Sequence, residues 1–152
     1  MNRRTYLSIS IGLTTMTAGC ISNNSIEYTF ESINIHEEIY NADNPLEFRN
    51  ELPRVQETEE NVFIDGLISH GDCEEPYIPY VTYNQNKKQI KAKVSTKSTK
   101  NILDKVLNPG CTLALREIGY RINIPKKDKN IQSVHIIEEK TSNENTDQIK
   151  NL

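Results

Sequence analysis

The densest group of reactive side chains in this sequence is His70-Gly71-Asp72-Cys73-Glu74-Glu75, where an imidazole, three carboxylates and a thiol fall within six positions. An imidazole beside a carboxylate can move protons, and a thiolate next to either is a nucleophile. His70, Asp72 and Glu74 are also residue types that take part in metal sites. All of these chemistries need convergence in space, which consecutive positions on one turn do not supply. The plain reading is therefore a polar turn. Cys73 has a competing use, because Cys111 lies 38 positions on and neither belongs to a local C-x-x-C or H-x-x-H spacing. A disulfide is the expected outcome, ahead of a thiolate ligand or a nucleophile. Closing a loop of that length stabilises a domain by about 4 kcal/mol in the chain-entropy picture.

Three tyrosines follow, Tyr77, Tyr80 and Tyr83, on or beside one expected strand. In a regular strand Tyr77 and Tyr83 share a face and Tyr80 points the other way. A tyrosine ring recognises sugars or proteins when exposed and packs a core when buried, so Tyr77 and Tyr83 are the candidate binding residues. His36 and His135 fall on expected strands and read as surface or partly buried histidines. No G-x-S-x-G, P-loop or H-E-x-x-H motif occurs, and no cofactor is implied.

The remaining cysteine, Cys20, has a different setting. Arg3 and Arg4 precede a short, weakly apolar run from Tyr6 to Ala18, and Thr17-Ala18-Gly19 leads into Cys20. A membrane span needs roughly 20 apolar residues, and this run is shorter and nearly half polar. It fits an export signal over residues 1–19, ending at a cysteine placed for lipid attachment. An ordinary signal peptide cleaved without lipidation is the alternative. Residues 20–25 then form a polar tether, in which Asn23-Asn24-Ser25 satisfies the glycosylation triplet. Asn2-Arg3-Arg4-Thr5-Tyr6-Leu7 resembles a twin-arginine signal, and Thr17-Ala18-Gly19-Cys20 resembles a lipobox.

About 130 residues remain for one domain, expected over 26–140. Loss of Arg3 and Arg4 leaves 16 basic against 21 acidic side chains, a net charge of −5 that argues against a nucleic-acid partner. Ile26 to Ile35 reads as an opening strand, bent near Glu31-Ser32, and residues 41–60 as an excursion with a helical turn at Pro45 to Asn50. Val62 to Ile68 suits a strand covered on both faces, with Gly66 marking a bulge or a close backbone approach. Tyr77 to Tyr83 and Ile90-x-Ala92-x-Val94 form a hairpin, whose first strand belongs at a sheet edge because Pro76 and Pro79 each remove a donor. Asn101 can cap a short helix through Leu107. Strands over 118–124 and 131–137 follow, and residues 141–152 read as a disordered polar tail.

The expected architecture is mainly β, a single antiparallel sandwich or barrel with at most one short helix. An immunoglobulin-like arrangement would lack its usual Cys-Trp-Cys hallmark, since the chain has no Trp. The pattern Val62 to Ile68, Cys73, Tyr83, Ile90-x-Ala92-x-Val94, Cys111 to Leu115 and Tyr120 resembles small cysteine-paired lipoproteins exported by halophilic archaea. That resemblance implies a single β-domain behind a twin-arginine lipoprotein signal, with no assigned activity. The function expected is a surface binding or interaction module, held to the membrane through lipid on Cys20 and meeting a protein or glycan partner. The alternative is a small secreted hydrolase or metal-dependent enzyme using His70 and Asp72.

Overall fold

The computed structural model describes residues 24–101, 103, 110–111, 115–139 and 145–152. The expected signal with Arg3 and Arg4, the lipid site Cys20, Asn23 and nearly all of the helix expected after Asn101 lie outside the described residues. Among the described residues, eight strands form two packed four-stranded sheets, an open sandwich and not a closed barrel. Sheet I has the order β1 (Thr29–Ile33), β6 (Arg116–Pro125), β3 (Asn61–His70), β2 (Arg54–Glu57). Sheet II has the order β4 (Glu74–Asn84), β5 (Gln89–Ser98), β7 (Ser133–Glu138), β8 (Thr146–Asn151).

The period-two positions face inward together. Val62, Ile64 and Ile68 of β3 and Tyr120, Ile122 and Ile124 of β6 meet Ile90, Ala92 and Val94 of β5 and Val134 and Ile136 of β7. All are buried, and burial of each valine or isoleucine side chain stabilises by roughly 1.5–3 kcal/mol. Gly66 is a place of close approach: a Cβ there would lie 2.3 Å from the Tyr120 hydroxyl. The bridge joins Cys73 and Cys111 with Cα atoms 5.5 Å apart. It ties the chain just before β4 to the segment leading to β6, at one end of the sandwich, unlike the inter-sheet bridge of immunoglobulin domains.

Four expectations change. Sheet II is mixed, since β5 and β7 run parallel from Gln89↔Ser133 to Val94↔Glu138. Parallel neighbours cannot share a hairpin, and here the crossover passes through β6 in the other sheet. Two helices are present among the described residues, α1 (Ile35–Asn41) and α2 (Pro45–Asn50), where at most one was expected. The opening strand ends at Ile33, because Ile35 begins α1 and not a further strand position; Asn34 Nδ2 donates to Glu37, and acidic Glu37 and Glu38 suit the first turn. Pro45 at the first position of α2 and the Asn44 side chain accepting from the Glu47 amide start the second helix, as expected. Finally, residues 146–151 of the expected tail are strand β8, antiparallel to β7 from Glu138↔Thr146 to Ser133↔Asn151.

Candidate functional site

The cluster that opened the sequence reading does not converge. His70 ends β3, and its Nδ1 donates to the Gly71 carbonyl at 2.9 Å, since a carbonyl can only accept. Glu74 accepts from the Gly71 amide at 2.9 Å, Asp72 pairs with Arg116 at 3.1 Å, and Cys73 is consumed by its bridge. These groups hold the turn in place. Among the described residues, no three His, Cys, Asp or Glu side chains come together as metal ligands would. His36 lies on α1 instead of a strand and donates through Nε2 to the Glu117 carbonyl, while His135 on β7 meets Asp147.

The tyrosines are rearranged by a bulge. Tyr77 pairs with Ser95 and Tyr80 with Lys93, so Ile78 and Pro79 together oppose Val94. The extra residue reverses the alternation. Tyr77 and Tyr80 consequently share the outer face of sheet II, and Tyr83, opposite Ile90, turns toward the core. The regular-strand expectation that Tyr77 and Tyr83 face alike is thus corrected, and Pro79, which has no N–H for the ladder, sits at the irregularity. On the outer face the Lys97 ammonium lies 5.6 Å from the Tyr77 ring centre and that of Lys91 lies 6.0 Å from Tyr80. Lys93 pairs with Glu139, which raises the lysine pKa and lowers that of the carboxylate. Among the described residues, no helix covers this face.

Tyr83 belongs to another place. Its hydroxyl donates to the Asn130 carbonyl at 2.7 Å and its amide to the Asn24 carbonyl at 2.8 Å. It forms one wall of an open cleft of about 600 Å³, with Ser25, Gln85, Lys88, Lys129 and Asn130 among the others. The cleft lies where residues 24–26 join the edge of sheet II through the Ser25↔Thr82 bridge. The neighbouring loops are tied by the Gln132 amide donating to the Lys88 carbonyl.

No family model, curated protein or solved structure matches this chain. Two surface features stand out in this geometry: the half-buried rings of Tyr77 and Tyr80 with their neighbouring ammonium groups, and the polar cleft beside Tyr83.

Two buried polar sites escaped the sequence reading. Asp65, fully buried on the outer face of sheet I, stands directly between Arg54 of β2 and Arg121 of β6. Arg121 reaches it with two bonds of 2.7 and 2.8 Å, and Arg54 at 3.1 Å while also binding Glu38 of α1. Phe48 and Phe63 lie under the two guanidinium groups at 5.0 and 5.4 Å. A lone Asp inside the apolar run Val62 to Ile68 was the available signal, because a buried carboxylate requires a cation. The second site crosses the core, where the Tyr120 hydroxyl donates to Glu138 at 2.6 Å. Burial first, and then the Glu138 charge, hold the Tyr120 pKa well above its ordinary value.

Proposed function

We propose that this chain is a lipid-anchored extracytoplasmic binding module, exported by a twin-arginine signal at Arg3 and Arg4 and tethered through Cys20, as in the small exported lipoproteins its sequence resembles. The observation that carries the reading is the Cys73–Cys111 bridge. Disulfides persist in oxidising compartments. With two of three cysteines joined to each other, Cys20 has no partner for a bond within the chain, and its setting after Thr17-Ala18-Gly19 suits acylation. The interaction surface is the outer face of sheet II, where Tyr77 and Tyr80 present rings flanked by Lys91 and Lys97 to a glycan or protein partner.

The test is fractionation of cells producing the chain or its Cys20→Ser variant. The parent is expected in the membrane fraction and released by detergent, with the variant shifted to the soluble extracytoplasmic fraction. Recovery of the parent from the cytosol with free thiols at Cys73 and Cys111 would overturn the proposal.

A further inference from the structure

Residues 24–26 lie antiparallel along the edge strand β4: Ile26 donates to the Val81 carbonyl at 3.3 Å and Tyr83 donates to the Asn24 carbonyl at 2.8 Å. Moving upstream from Ile26 to Asn24 therefore means moving toward the C-terminal end of β4. The chain leaves the sandwich beside the turn at residues 85–88, at the end opposite the disulfide. Cys20 lies only four positions before Asn24, a reach of at most about 14 Å. A lipid on Cys20 would hold this end of the domain against the headgroups.

That end carries a corner of lysines. Lys87 and Lys88 lie in the β4–β5 turn, and Lys127 and Lys129 in the loop between β6 and β7. Lys127 pairs with Glu27 and, with a smaller attraction from Lys129, lowers the pKa of that carboxylate; at ion-pair distance, Lys87, Lys88 and Lys129 meet no carboxylate among the described residues. Asp128 shares the second loop. The other acids of this end, Glu57, Glu59 and Glu60, sit at the turn between β2 and β3, across sheet I from β1, with Lys126 against Glu57. Positive charge is thus gathered on the corner where the tether leaves, although the exported part as a whole is acidic. Lys88 and Lys127 adopt left-handed backbone, with φ of 49° and 42°. Asp128 does so too, with φ of 62°, and glycine or asparagine takes that conformation more readily than any of the three. Lys88 and Lys129 line the cleft together with Ser25, Gln85 and Asp128, two ammonium groups against one carboxylate. Ammonium, hydroxyl and amide donors in one concavity suit phosphate oxygens.

We propose that the corner formed by Lys87, Lys88 and Lys129, with its cleft, seats on anionic phospholipid headgroups of the membrane that holds Cys20. This rests on the anchored reading above, and makes the charge of the leaflet a second attachment beside the lipid. The test is co-sedimentation of the full chain carrying Cys20→Ser with vesicles of phosphatidylcholine alone or with equimolar phosphatidylglycerol. Lys87→Gln, Lys88→Asn and Lys129→Gln are introduced singly and together in that same background, so the N-terminal segment contributes equally throughout. Binding to the anionic vesicles is expected to fall roughly fivefold for each lysine removed. Binding to the neutral vesicles should stay constant, and high salt should erase the difference. Lys91→Gln with Lys97→Gln, which removes two positive charges from the outer face of sheet II, should have no such effect.

Equal binding by the triple variant and its parent, or an equal loss in the Lys91 and Lys97 control, overturns the proposal. Exposed Lys87→Gln answers the question alone if the triple variant does not fold. Competition by inorganic phosphate at fixed ionic strength would assign the cleft to free phosphate and overturn it also. The mass of the Cys20 peptide from parent membranes reads the anchor separately: unmodified Cys20 with lysine-dependent vesicle binding would refute the anchor and leave the headgroup surface standing.

Discussion

The two sheets bury their inner faces in the same way and treat their outer faces in opposite ways. Outside sheet I, α1 lies against β6 so closely that a Cβ at Gly119 would come within 2.6 Å of both the Ile33 carbonyl and the Ile35 side chain. On this face a row of alternating charge crosses all four strands, Glu31, Arg121, Asp65 and Arg54, with Glu38 reaching Arg54 from α1. Outside sheet II, the row is lysines, tyrosines and carboxylates at the surface, and no described helix lies over it. Strong charge pairing on the first face goes with fixing the helices. On the second face the pairs are more exposed, and exposed pairs contribute little to stability. What the open face retains is the freedom that the proposed partner binding would need.

That contrast predicts stability losses confined to one side. Asp65→Ala should cost about 3 kcal/mol in urea unfolding, the low end for breaking a buried pair, because both arginines keep some solvent contact. A loss below about 1 kcal/mol would place the row among ordinary surface charges. Gly119→Ala should cost about 2 kcal/mol, since the obstructing atoms include backbone that cannot swing aside. Hydrogen exchange should then show faster exchange in α1 while sheet II is unaffected.

Between the faces, Tyr120 couples the two sheets through Glu138, and its raised pKa gives a pH dependence of definite sign. The folded chain keeps the hydroxyl proton where an unfolded tyrosine, ordinarily near 10, releases it. The contribution is therefore complete below about pH 10 and declines as pH rises above it, by up to about 1.4 kcal/mol per pH unit. Tyr120→Phe should flatten this alkaline limb while lowering stability near neutrality by about 1 kcal/mol through the lost bond. The smallest effect is expected on the open face: Tyr77→Ser with Tyr80→Ser should cost no more than about 1 kcal/mol per site, because both rings are only half-buried. A large loss there would show that these rings serve the fold and not a partner.

The same contrast explains how much could be read from sequence. The hairpin of β4 and β5 was legible because Ile90, Ala92 and Val94 alternate cleanly, and the edge position of β4 because Pro76 and Pro79 cannot donate to two neighbours. Gly66 announced a close approach, and the structure supplies Tyr120. The direction of the tyrosines was not legible, since one inserted residue near Pro79 reverses parity while leaving the local composition unchanged. Strand β8 was hidden for another reason: Thr146–Asn151 has a single apolar residue, Ile149, and owes its extended form to pairing with β7. Ile33 and Ile35 alternate as a strand would, yet Asn34 and Glu37 carry a helix-start spacing that the apolar pattern masked. Asp65 looked like an interruption in an apolar run, because Arg54 and Arg121 are brought to it only by pairing across three strands.

The most direct test of the account is mass spectrometry of the N-terminal peptide from membrane-extracted protein, analysed without reduction alongside the peptides of the bridge. A chain that begins at an acylated Cys20, with Cys73 and Cys111 recovered joined, is the predicted result. An unprocessed chain beginning at Met1 in the soluble fraction, with all three thiols free, would contradict it.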